Sequence, residues 1–270
     1  MIRLSAFADE ISPRLDEQIA VLRAERIEYL DLRSVDGVNV LDLTDSQVAE
    51  IKETLEAEGV GVAAIGSPLG KVPIDTPLDE SLARLERALY LARTLGTRSI
   101  RIFSFSPPAG EEAWTAARRD EVISRVRIMT ERARAAGVVL VHENDTGLYG
   151  DTAERCVDLL RTIDDPHLRA AFDPANFIQC GEEPYPAAYN ALRQWISYVH
   201  VKDAQSDGQV VPAGRGVARW PEILRALRQD GYDGFLALEP HLQAGGPYGG
   251  FSGPALFHEA SRALRDLMAS

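Results

Sequence analysis

A chain of 270 residues suits one α/β barrel, a fold that takes about 250 residues, so the length demands no second domain. With 45% hydrophobic and 26% charged residues, the composition excludes a disordered or fibrous chain. A net charge of −12 argues against nucleic acid or an anionic membrane surface as partner.

The opening MIRLSAFADEISP lacks a basic segment followed by an apolar one, and no apolar run of about 18 residues occurs, so a cytoplasmic protein with no membrane span is expected. Cys156 and Cys180 sit in no CxxC and near no histidine pair, and read as packing thiols.

Short apolar runs alternate with longer amphipathic segments. In chain order the expected strands are Ile2 to Ala8, Ile27 to Leu32, Val60 to Ile65, Ser99 to Phe103, Val138 to Glu143, Leu168 to Asp173, Ser197 to Val201 and Phe235 to Glu239. Ser12-Pro13 reads as a helix start, and Thr44 with Gln47 has capping-box spacing. Gly59, Gly96, Gly137 and Gly231 each stand between a helix and the next strand, as left-handed C-terminal residues do. Leu78, Leu82, Leu85, Leu89 and Ala92 form a buried helix face. Residues His241 to Pro254, with five glycines, read as a loop, and Ala255 to Met268 as a closing helix. Repeated right-handed βα units without a G-x-G-x-x-G or P-loop favour a single (β/α)8 TIM barrel over residues 1–270, a parallel eight-stranded sheet with outer helices.

Barrels keep their chemistry at the carboxyl ends of strands, and there the last four expected strands present Glu143, Asp173, His200 and Glu239. Alternation along each strand puts Val141, Ala171, Tyr198 and Ala237 one layer below. Three carboxylates converging in a low-dielectric mouth repel one another unless a cation neutralises them. Three oxygens, one imidazole and no thiolate suit one divalent ion, with Mn²⁺, Co²⁺ or Mg²⁺ favoured and Zn²⁺ allowed. Each residue taken alone reads as a solvated strand end; the alignment of four on successive strands carries the metal reading.

The segments HEN at 142–144, FDPAN at 172–176, HVKD at 200–203 and LEP at 238–240 resemble the xylose-isomerase-like barrels. That superfamily includes sugar phosphate isomerases and epimerases, ketose 3-epimerases, hydroxypyruvate isomerases, inosose dehydratases and endonuclease IV. The resemblance implies that Glu143, Asp173, His200 and Glu239 bind one metal and that Glu143 and Glu239 also move protons. Two positions depart from ketose 3-epimerases: Asn176 stands where they place a histidine, and Val210-Val211 stand where they carry an arginine.

The function expected is a metal-dependent isomerase or epimerase that passes through an enediolate of a small sugar, sugar phosphate or keto-polyol. The alternative is a dehydratase or lyase acting on a keto-polyol or ketoglycoside. An endonuclease IV-like phosphodiesterase ranks last, since five histidines are few for a multi-metal cluster. Asn176 and Lys202 are the expected substrate contacts, Lys202 competing with an ion pair to Asp203 or another rim carboxylate. Lys71 reads as an anion contact or a plain loop residue, Gly214-Arg215-Gly216 as a phosphate cradle or a tight helix entry, and Arg101 as a residue of uncertain phase. His142 points away from Glu143 if the strand is regular. The expected partner is a small carbohydrate-like molecule, and a homo-oligomer is compatible with this reading.

Overall fold

The computed structural model describes residues 2–110, 114–243 and 250–270. Eight strands run in parallel: β1 (Arg3–Ala6), β2 (Tyr29–Leu32), β3 (Gly61–Ile65), β4 (Ser99–Ile102), β5 (Val139–Glu143), β6 (Leu168–Phe172), β7 (Ile196–Val201) and β8 (Phe235–Leu238). Their order in the sheet is β1-β8-β7-β6-β5-β4-β3-β2. The two terminal strands, β1 and β2, also lie against each other, so the sheet rolls into a TIM barrel with one seam that has no ladder among the described residues.

Around it run α1 (Leu15–Ala24), α2 (Asp45–Glu58), α3 (Leu78–Leu95), α4 (Ala116–Ala135), α5 (Ala153–Ile163), the short α6 (Pro174–Gln179) and α7 (Tyr189–Leu192), α8 (Trp220–Gln229) and α9 (Gly253–Ala269). No helix among the described residues is long and apolar enough to cross a membrane.

Local chemistry sets these boundaries. Thr44 and Gln47 form the reciprocal capping box that starts α2. Gly59, Gly96, Gly137 and Gly231 all take positive φ, between 68° and 74°, turning each helix back into the next strand. Leu82, Leu85, Leu89 and Ala92 are buried on α3, as their spacing requires.

Several ends differ from the sequence reading. Ser12 does not cap α1, which begins at Leu15; its hydroxyl instead accepts the Arg14 N–H at 3.2 Å. β1 stops at Ala6 because Ala8–Glu10 turns into a 3-10 helix. β6 stops at Phe172 because Asp173 is the N-cap of α6. α9 starts at Gly253, ahead of the expected Ala255, while residues 244–249 of the glycine-rich loop lie outside the described set.

Val141, Ala171, Tyr198 and Ala237 pack together with Phe7, Ala63, Ala64 and Phe235 in one buried cluster, the apolar floor expected beneath a polar rim. The floor has one polar thread: the Tyr198 hydroxyl donates to Asp31 and lies 3.3 Å from Ser5 Oγ. Burial pushes the Asp31 carboxyl above its ordinary pKa.

Candidate metal centre

Glu143 ends β5, Asp173 follows β6, His200 lies in β7 and Glu239 follows β8, so parallel strands in register deliver all four to the same end of the barrel. All four are at most 3% exposed, and one ligand atom from each lies within 4.8 Å of the others. His200 Nδ1 is 3.2 Å from Glu143 Oε1, 3.2 Å from Glu239 Oε2 and 4.0 Å from Asp173 Oδ2.

Asp173 Oδ2, His200 Nδ1 and Glu239 Oε2 are buried without an aligned hydrogen-bond partner. They are held only by short ion pairs, Asp173 Oδ2 to Lys202 and His200 Nδ1 to both glutamates, and all face one point that a common ligand could share. The donor set of three carboxylates and one imidazole fits a divalent ion.

Each ligand is held from behind. Asp173 divides its oxygens: Oδ1 accepts the N–H groups of Ala175 (2.9 Å) and Asn176 (3.1 Å), which starts α6, and Oδ2 is left for the centre. The Asn144 side chain clamps the Asp173 backbone, accepting from its N–H and donating to its carbonyl, both at 2.9 Å. Glu143 Oε1 receives Asn176 Nδ2 at 3.2 Å, and Oε2 receives Arg101 at 3.1 Å. Glu239 Oε1 receives Arg33 at 3.1 Å and Arg101 at 3.2 Å. The edges of Phe7 and Tyr198 fix the His200 ring.

Within the cluster the charges compensate one another. Burial would drive the proton off His200, but Glu143 and Glu239 overcome it and raise the imidazole to about 10. Burial would raise Glu143; His200 and Arg101 outweigh it and hold the carboxyl at about 2. Lys202 is kept protonated against burial by Asp173 and Glu239. A divalent ion held here would supply the positive charge the carboxylates draw to His200, and would take the imidazole as a neutral ligand. Adding Mn²⁺ or Co²⁺ to stripped protein is expected to stabilise the fold by about 2–3 kcal/mol at roughly a hundredfold excess over Kd. A melting temperature in calorimetry that no divalent ion moves would remove the basis of this site.

The centre opens into a cavity of about 870 Å³ lined by Arg33, Arg101, Phe103, Asn176, Lys202 and His241 among others. Lys202 reaches it with Nζ 2.8 Å from Asp173 Oδ2, so the rim carboxylate it pairs with is Asp173 and not Asp203. Asn176 also lines it, but both its Nδ2 hydrogens are committed, to Glu143 and to the Asn144 carbonyl at 2.8 Å, leaving Oδ1 to offer. Lys71 lies at the rim, 2.6 Å from Asp145 Oδ2. Arg101 points into the mouth and ties Glu143 to Glu239.

Arg33, Asp9, Glu10 and His241 went unread in the sequence. Arg33 directly follows β2 and Asp9 and Glu10 follow β1, so the strand-end rule that found the other four would have found these. Glu10, Glu239 and His241 could themselves hold a metal, but Arg33 lies 3.1 Å from Glu239 Oε1 and 3.8 Å from Glu10 Oε1, so a guanidinium already supplies the positive charge there. His142 is buried with its ring against Gly150, and burial lowers it to about 4.

Gly214-Arg215-Gly216 is not an open phosphate cradle. The Asp203 carboxylate sits in it, accepting the N–H groups of Gly214 (2.9 Å), Gly216 (3.0 Å), Ala218 (3.1 Å) and Ala204 (2.8 Å). A Cβ on Gly216 would lie 2.2 Å from the Ala204 carbonyl and 2.3 Å from Asp203 Oδ1. Gly216→Ala is accordingly expected to lower stability by about 1–3 kcal/mol, as overpacking does, measured by urea unfolding; an unchanged midpoint would mean that the loop relaxes freely.

The sequence profile of the xylose isomerase-like TIM barrel family matches residues 25–267. Among curated proteins, the chain is 22% identical to a 3-dehydroshikimate dehydratase of Bacillus anthracis over 62% of its own length, spanning 65% of that enzyme. It is also 22% identical to a D-psicose 3-epimerase of Ruminiclostridium cellulolyticum, over 76% of this chain and 72% of that one. Among solved structures, a xylose isomerase-like barrel of Mycobacterium smegmatis in complex with magnesium superposes with a TM-score of 0.75, at 19% identity, covering 99% of this chain and 97% of that one. The order of the strands and the family match agree: the chain belongs to the xylose isomerase-like TIM barrel family.

Proposed function

We propose that this chain is a divalent-metal-dependent isomerase or epimerase of a small carbohydrate-like substrate, working by proton transfer at the carbon beside a carbonyl. The observation that carries the reading is the convergence of Glu143, Asp173, His200 and Glu239 on one point, buried and with one ligand atom from each within 4.8 Å of the others. These four residues would hold the ion, Mn²⁺, Co²⁺ or Mg²⁺ in preference to Zn²⁺, and when bound it supplies fixed positive charge that acidifies the C–H bond.

The rest is done by the protein's own groups. Glu143 and Glu239 enter from β5 and β8, with β6 and β7 between them, and the mechanism requires that they reach opposite faces of the substrate if the carbon is to be inverted. One removes the proton. Its return from the other side inverts the carbon, and its return to the neighbouring carbon converts aldose to ketose. Lys202 holds the negative charge that develops on the carbonyl oxygen, and Asn176 Oδ1 accepts from a substrate hydroxyl.

A second reading, loss of a β-hydroxyl after the same proton abstraction, is supported by Asn176 in the place of a histidine and by the likeness to a dehydratase. Phosphodiester cleavage is disfavoured, because Arg33 stands where a second cation would be held. The deciding experiment is incubation with ketoses, inososes, ketoglycosides and sugar phosphates in D₂O with Mn²⁺. Deuterium at the carbon beside the carbonyl, read by NMR, is expected for at least one class; metal-loaded protein that exchanges none of them would overturn the proposal.

A further inference from the structure

The cavity has an unusual balance of charge. Five buried carboxylates, Asp9, Glu10, Glu143, Asp173 and Glu239, face three permanent cations, Arg33, Arg101 and Lys202. The two negative charges left over are what one divalent ion cancels, His200 being neutral as a ligand. His241 lies 3.0 Å from Glu10 Oε1, so it too faces a carboxylate. Asp31, one layer down, adds no positive charge. The residues outside the described set, 1, 111–113 and 244–249, bring no lysine, arginine or histidine.

Nor is any lining cation without a carboxylate of its own. Arg33 lies 2.8 Å from Asp9, Arg101 3.1 Å from Glu143, Lys202 2.8 Å from Asp173 and Lys71 2.6 Å from Asp145. Arg101 further spends its donors on the carbonyls of Gly66 and Ser67. The backbone N–H groups that could receive a phosphate after β7 already receive Asp203. Around these pairs the remaining polar lining is amide: Asn39, Gln179, Gln209 and Gln243, groups that donate to and accept from hydroxyls without charge.

From this we infer that the substrate is an uncharged polyhydroxylated carbonyl compound, a free ketose, keto-polyol or ketoglycoside, and not a sugar phosphate or sugar acid. The inference rests on the proton-transfer reading of the site and narrows it. A phosphate or carboxylate on the substrate would have to break one of these ion pairs inside a buried site or compete with the reacting oxygen for Lys202, and breaking such a pair leaves a charge uncompensated.

The test compares neutral ketoses, inososes and ketoglycosides with their phosphate esters, and with inorganic phosphate alone, on Mg²⁺-loaded full-length protein. Calorimetry reads affinity and NMR reads exchange in D₂O. At least one neutral compound is expected to bind at least tenfold more tightly than its phosphate ester, with an affinity unchanged between about 50 and 200 mM salt, beyond the reach of charge screening. Inorganic phosphate is expected not to bind below tens of millimolar. A phosphate ester tighter than its neutral parent, or submillimolar inorganic phosphate, overturns the inference and leaves the proton-transfer reading standing. Exchange with no member of either class overturns that reading, and the inorganic phosphate arm still decides the charge of the cavity.

Discussion

Replacing Glu143 or Glu239 with glutamine is expected to lower turnover by about 10²–10⁴, and excess Mn²⁺ is expected not to restore it. Glutamine keeps an oxygen for the ion and for Arg101, but it cannot take a proton. The two variants should also differ in kind in an epimerase. From a given epimer, the variant that retains the abstracting carboxylate still washes deuterium into recovered substrate while forming little product. The other does neither. If both regain near-native turnover once metal saturates, the glutamates are ligands only, and the proton-transfer assignment is wrong.

Lys202→Met is expected to cost about 10²–10³ in rate while leaving the metal bound. Lys202 Nζ is 2.8 Å from Asp173 Oδ2 and lines the cavity, so its charge serves either the substrate oxygen or the aspartate. Methionine removes the charge and preserves most of the volume. If Lys202 serves the substrate, kcat falls and metal affinity holds or rises, since a cation beside the ion has gone. If it only orients Asp173, metal affinity falls and added metal recovers the rate. A titration of metal against activity separates the two outcomes.

The fold was legible because its signs are local and repeated: a glycine at four helix ends, a capping box at Thr44, and apolar runs at barrel spacing. The four candidate ligands were legible because strand alternation fixes which side chain faces in, and each sits at or next to a strand end. What local pattern could not carry is contact between distant segments. Arg33 meets Glu239 across 206 positions of sequence, and nothing near either residue announces the other. Arg101 was visible as a strand-four residue, but its double attachment needed the closed ring. Asp203 misled for the opposite reason. A Gly-Arg-Gly turn before a helix has the form of an anion cradle, and only the structure shows that an aspartate eleven positions upstream of Gly214 already fills it. Likewise Lys202 pairs with the rim carboxylate of Asp173 and not with Asp203, because Asp203 is spoken for by backbone N–H groups.

The seam of the barrel has a consequence for how the molecule breathes. Between β1 and β2 no backbone ladder holds the described chain, yet directly above that gap Arg33 and Ser34, which follow β2, are bound to Asp9, which follows β1, at 2.8 and 2.9 Å. Arg33 continues to Glu239 beyond β8. The same side chains that shape the cavity thus act as stitching where peptide groups leave the ring open. Amide protons of β1 and β2 facing the gap should exchange faster than those of the laddered strands, by local opening and not by global unfolding. Cutting the stitch at Arg33 would loosen the first two strands before the rest, so this end of the barrel carries its chemistry and its closure on one set of charges.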